Sequence, residues 1–148
     1  MRILVINGPN LNFLGIREPG IYGSDSYADL LALVKRTGEE EGVEVLTYQS
    51  NHEGALVDKI QEAYGTVDGL VLTPGAYTHT SIALLDALKA VGLPAVEVHI
   101  SDVPAREAFR QISYIRPACI ATITGEGIAG YAKAIRLLKQ HLTAAAAN

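Results

Sequence analysis

Short apolar runs recur along the chain, each followed by polar turn formers and then by apolar residues at helical spacing. Arg2–Ile6 reads as a strand covered on both faces, and Val43–Tyr48, Asp68–Leu72, Ala95–Val98 and Cys119–Thr124 read as the strands that follow it. Ser26 caps a helix with Asp29 three residues on and an apolar stripe of Leu30, Leu31, Leu33 and Val34, bracketed at its end by Gly38 and Gly42. A second helix carries Leu56, Val57, Ile60 and Tyr64, and a third runs from about Ile82 to Val91. A short helix holds Arg106, Phe109 and Arg110, and Ile128–Leu142 closes the chain as a helix before a tail, 143–148, that is expected to fray. Parallel strands need crossover connections, nearly all of them right-handed. The alternation therefore predicts an α/β fold, a five-stranded parallel sheet of order 2-1-3-4-5 with helices on both faces.

Composition narrows the partners more than the fold. With 148 residues, 49% of them apolar, and no linker or internal repeat, one domain spanning 1–148 has an ample core. A net charge of -4 without any cluster of Lys or Arg argues against a nucleic-acid partner. No apolar stretch is long enough to span a bilayer, and Met1-Arg2 leads directly into a strand instead of a signal peptide, so a cytoplasmic protein with no membrane partner is expected. The single cysteine, Cys119, sits in an apolar run, where a packed hydrophobe is the expected role.

In such sheets, ligands bind outside the carboxyl ends of the strands, at the point where the strand order reverses. The first connection, NGPNLNFLGIREPGIYG from Asn7 to Gly23, is longer than a strand-to-helix turn requires and holds Asn10, Arg17 and Tyr22. His52 follows the second strand, Thr73 and His79 the third, and His99 the fourth, so polar groups distant in sequence gather at one edge. Glu97 and His99, two apart on a strand, point to the same face, and a carboxylate beside an imidazole favours its protonated form. That pairing suits a general acid or, equally, a structural ion pair. Tyr22 is a poor base unless a cation stabilises its phenolate, and Arg17 lies in the same loop. Together these groups suit abstraction of a proton alpha to a carbonyl, followed by acid-assisted loss of a hydroxyl. Arg106 and Arg110, four apart on the expected helix, share a face and either bind a carboxylate or hydroxyls or remain solvated.

Rival motifs are absent or misplaced. Gly8-Pro9-Asn10 is no P-loop, and Gly125-Glu126-Gly127-Ile128-Ala129-Gly130 has dinucleotide spacing but follows the last strand, where helix entry and close packing explain its glycines. Glu97, His99 and Asp102 lack further ligands at fixed spacing, so neither metal nor cofactor is expected. The five lysines, Lys35, Lys59, Lys89, Lys133 and Lys139, all fall in helical patterns away from the inferred edge, and no imine chemistry is expected.

The ordered segments NGPNLNFLGIREPGIYG, QSNHEG, PGAYTHTS, EVHISD, REAFR and GxGxxGY resemble the type II 3-dehydroquinate dehydratases, from about Ile3 to Leu138. The resemblance implies a flavodoxin-like three-layer fold, a dodecamer built from trimers, and cofactor-free dehydration of 3-dehydroquinate to 3-dehydroshikimate in the shikimate or quinate pathway. It also implies residue roles. Tyr22 is the proton acceptor, Arg17 activates it, Asn10 holds the water that stabilises the enolate, and His99 is the proton donor supported by Glu97. Thr73, His79, Asp86, Ile100, Ser101 and Arg110 fall at substrate-binding positions. Three positions depart from the family pattern: Thr73 and Asp102 stand where Asn is usual, and Leu85 precedes Asp86 where Arg is common. Thr73 is expected to weaken substrate binding, and the other two to lie at the surface or in subunit contacts. The alternatives are a flavodoxin-like binding or receiver module, which should show an acidic phosphoacceptor cluster or copurify with flavin, and a degenerate homologue that binds without turnover.

Overall fold

The apolar runs pair side by side into one sheet of order β2-β1-β3-β4-β5, parallel throughout, in a computed structural model of the chain. Residues 1–16, 19–22 and 24–147 are described, without the side chains of residues 19 and 22. The strands are β1 (Arg2–Asn7), β2 (Glu44–Gln49), β3 (Gly69–Thr73), β4 (Ala95–His99) and β5 (Ala121–Thr124). A single helical turn, α1 (Pro19–Tyr22), interrupts the first connection, and the longer helices are α2 (Tyr27–Glu41), α3 (Glu53–Ala63), α4 (Ile82–Val91) and α5 (Ala129–Ala147). The expected order and class are those observed.

Alternation along the buried strands divides the core in two. Ile3, Val5, Val71, Val96, Val98 and Ile123 face α2 and α5, meeting Leu30, Val34, Ile135 and Leu138. Leu4, Ile6, Leu70, Leu72 and Ala95 face α3 and α4, meeting Leu56, Ile60, Leu84 and Leu88. Both strand faces are covered, which is why these runs are continuous rather than alternating in sequence. The β2 edge is the exception, half-exposed along its length. Helix starts follow local capping. Ser26 Oγ accepts from the Asp29 amide (3.1 Å) while Asp29 Oδ2 accepts from the Ser26 amide (2.8 Å), a capping box. Ser81 Oγ accepts from the Leu84 amide (3.0 Å) at the start of α4.

Three local expectations change. The segment carrying Arg106 and Arg110 is not one helix but two 3-10 turns, Val103–Ala105 and Ala108–Arg110, because Arg106 and Glu107 between them are extended. The last strand starts at Ala121, not Cys119, since Pro117 sits in a 3-10 turn that the Cys119 amide closes onto the Arg116 carbonyl (3.0 Å). The last helix runs on to Ala147, beyond the expected boundary at Leu142, and alanine is the residue that opposes helix least. Cys119 packs against the α3/α4 side of the core, and burial pushes its thiol up to about 12, the behaviour of an inert hydrophobe. Among the described residues no helix is long and apolar enough to cross a membrane.

Candidate active site

Two turns, Gly8-Pro9 and Pro74-Gly75, meet at the carboxyl edge, one after each of the two strands flanking the reversal point. A Cβ on Gly8 would lie 2.3 Å from the Pro74 carbonyl oxygen, and Gly75, at φ +63°, would bring its own within 3.1 Å of the Pro9 carbonyl. Only glycine permits that approach, so the connections after β1 and β3 are locked together. The chain then turns through Asn10 at φ 69°, a left-handed conformation that asparagine tolerates better than most residues. The second strand's connection fixes this turn. Asn51 Oδ1 accepts from the Asn10 amide (3.1 Å), and Gln49 donates through Nε2 to the Gly8 carbonyl (3.1 Å).

A cleft opens at this edge, lined by Asn10, Leu11, Leu14, Thr73, Gly75, Ala76, His79, His99, Ile100, Ser101, Val103, Arg106 and Arg110. Sequence reasoning named most of its polar members. The apolar wall of Leu11, Leu14 and Val103 was missed, although Leu11 and Leu14 sit within the loop already singled out. Thr73 is nearly enclosed, with its hydroxyl beside that of Tyr131 at the cleft floor. Ser101 Oγ accepts from Arg106 Nη1 (3.3 Å), and Arg110 Nε is paired with Glu107 (2.6 Å). The two arginines thus reach one cleft from separate turns instead of from one helix face.

The histidines sort by their partners. Nδ1 of His79 lies 2.7 Å from the Ile112 carbonyl, which only accepts, so Nδ1 carries the proton and Nε2 is left as an acceptor. Burial lowers the pKa of His79, and the ring is neutral. Nε2 of His99 lies 2.5 Å from Glu97 Oε2, so Nε2 donates and Nδ1 is the nitrogen left for the cleft. His52 is exposed at the start of α3 and does not line the cleft.

Glu97 is fully buried, yet ionised. Burial raises the pKa of its carboxyl, but hydrogen bonds from His99, Arg116 and Ser113 overcome that and bring it down to about 2. Ser113 Oγ donates to Oε2 (2.7 Å), Thr122 Oγ1 to Oε1 (3.0 Å), and Arg116 Nε to Oε1 (3.0 Å). None of these three partners was named from sequence. The signal was available: a carboxylate inside a continuous apolar strand requires compensating donors, and Thr122 stands directly opposite Glu97 in the sheet register.

Arg17 falls outside the described residues, as does the side chain of Tyr22. Asp86 is exposed on α4 and does not line this chain's cleft; Asp102 is exposed as well. Asn7, the first polar residue of the loop motif, is buried beneath the edge, where its Oδ1 accepts from the Tyr131 hydroxyl (2.7 Å). All five lysines lie in helices and none lines the cleft. No group of three or more His, Cys, Asp or Glu among the described residues is placed to hold a metal ion.

The family model for dehydroquinase class II matches residues 1–139. The chain belongs to this family. A 3-dehydroquinate dehydratase of Caldicellulosiruptor bescii is 55% identical over 142 residues, covering 95% of this chain and 98% of that protein. One from Clostridium acetobutylicum is 52% identical over 143 residues, covering 97% and 99%. The crystal structure of a type II dehydroquinase from Butyrivibrio crossotus matches with a TM-score of 0.92 at 54% identity, over 94% of this chain and 97% of that one. The cleft of this dehydroquinase-family chain lies where its flavodoxin-like sheet reverses strand order, between β1 and β3.

Proposed function

We propose that this chain dehydrates 3-dehydroquinate to 3-dehydroshikimate through an enolate, in the shikimate or quinate pathway. The observation that carries this reading is the buried Glu97–His99 couple in the wall of a cleft that also holds Asn10 and two arginines, in a chain of the dehydroquinase family. Tyr22, as a phenolate activated by Arg17, takes the proton alpha to the substrate's carbonyl. The electron pair of the broken C–H bond moves onto the carbonyl oxygen, and a water held by Asn10 stabilises that oxyanion. Collapse of the enolate re-forms the carbonyl, makes the carbon–carbon double bond and expels the beta hydroxyl. His99 gives that hydroxyl the proton on Nδ1, and it leaves as water.

The remaining groups hold the substrate. Arg110 and Ser101, with the Ile100 backbone, bind its carboxylate and hydroxyls, and neutral His79 accepts a hydrogen bond from a hydroxyl through Nε2. Thr73 offers one hydroxyl at the cleft floor. Asp86 serves the cleft of a neighbouring subunit in a trimer-based dodecamer, which accounts for its place outside its own cleft. Ultraviolet absorbance of the conjugated product on adding 3-dehydroquinate tests the reading directly.

A further inference from the structure

Glu97 makes more contacts than orienting one histidine requires. Its carboxylate has about four acceptor sites. Oε1 receives Thr122 and Arg116 Nε, while Oε2 receives His99, Ser113 and, at 3.4 Å, Arg116 Nη2. Arg116 therefore spans both oxygens and fixes the plane of the carboxylate, as a planar fork does and a point charge cannot. It reaches the site from outside: its side chain is 48% exposed, whereas that of Glu97 is 0% exposed, and Arg116 does not line the cleft.

We propose that Arg116 is a positioning residue for the acid step, acting through Glu97 to aim the His99 ring and to offset the carboxylate charge that the ring faces. This rests on the function proposed above. The charges around His99 come from several elements. Glu97 lies on its own strand, Arg116 precedes β5, His79 follows β3, and Arg106 and Arg110 follow β4. His79 and Cys119 are neutral, so among these groups Glu97 supplies the negative charge on the ring and Arg116 the cation bonded to it. With Arg116 in place, a protonated His99 gives up its proton against a partly neutralised carboxylate. Without it, an uncompensated buried carboxylate would hold that proton more tightly and make the ring a weaker acid. Ser113 and Thr122 donate to the same oxygens without changing the charge, so they separate positioning by hydrogen bonds from the effect of charge.

The test compares Arg116→Gln, Arg116→Lys and Thr122→Val with the wild-type enzyme in pH profiles of kcat and kcat/KM, together with ring 15N NMR titration of His99. Arg116→Gln is expected to lower kcat about ten- to a hundredfold, leave KM nearly unchanged, and move the alkaline limb up by roughly half to one pH unit, the reduced size reflecting the exposure of Arg116. Arg116→Lys should restore the limb but only part of kcat. An unmoved limb and an unmoved His99 midpoint in Arg116→Gln would overturn the proposal, as would an equal shift in Thr122→Val. The NMR midpoint needs no turnover, so a wild-type chain inactive on 3-dehydroquinate would sink the proposed function while leaving the effect of Arg116 on His99 separately measurable.

Discussion

Glu97 ties chemistry to stability within one side chain. Its folded carboxyl ionises near 2 against an ordinary value of 4.5, so its contribution is fully present above 4.5 and is lost as pH falls through that value towards 2. That difference corresponds to on the order of 3 kcal/mol. Urea unfolding should show this loss between pH 5 and pH 2 in the wild type and a much flatter dependence in Glu97→Gln; identical pH dependence in the two would show that Glu97 is not the titrating group. Thr73 provides the second residue-scale prediction. It carries one hydroxyl where the family resemblance implies an amide, and one lost neutral hydrogen bond costs about 0.5 to 1.5 kcal/mol. Thr73→Asn should lower KM several-fold with a smaller change in kcat, and unchanged kinetics would mark Thr73 as a neutral replacement. At this scale the sequence revealed residue types and their spacing. Glu97 and His99 were legible because strand geometry fixes a two-residue repeat, whereas Arg116 and Ser113 reach Glu97 through irregular turns that no periodicity announces.

The connections after β1 and β3 behave as one element because Gly8 and Pro74 are in backbone contact. Gly8→Ala would drive a Cβ into the Pro74 carbonyl oxygen at 2.3 Å, so one loop must shift. The expected cost is roughly 1–3 kcal/mol of stability, with a loss of kcat/KM as Asn10 and Thr73 move apart. Thermal unfolding and steady-state kinetics check both effects, and a variant with wild-type values would show that the loops are not coupled. The glycines and prolines here marked turns in the sequence, but their mutual contact required the fold. The two arginines illustrate the opposite case. Four-residue spacing predicted a shared helical face, yet extended backbone at Arg106 and Glu107 breaks the helix and two separate turns deliver Arg106 and Arg110 to the same cleft.

For the whole molecule, continuous apolar strands alternating with capped helices were enough to give class, strand order and the edge where the cleft opens, since crossover handedness leaves few alternatives. The proposed assembly rests on family resemblance alone, and it gives the exposed position of Asp86 on α4 a use beside a neighbouring subunit. Sedimentation should therefore find at least a trimer at assay concentrations, and Asp86→Asn should weaken substrate binding without changing the assembly; a fully active monomer would contradict the shared site. The central claim is elimination of water from 3-dehydroquinate with Tyr22 as base. Its most direct measurement is ultraviolet absorbance on adding 3-dehydroquinate to the wild-type chain and to Tyr22→Phe side by side. The expected result is rapid appearance of the conjugated product with the wild type and a rate at least about a hundredfold lower with the variant, which keeps its fold. No absorbance change with the wild type, or near-normal turnover by Tyr22→Phe, would contradict it.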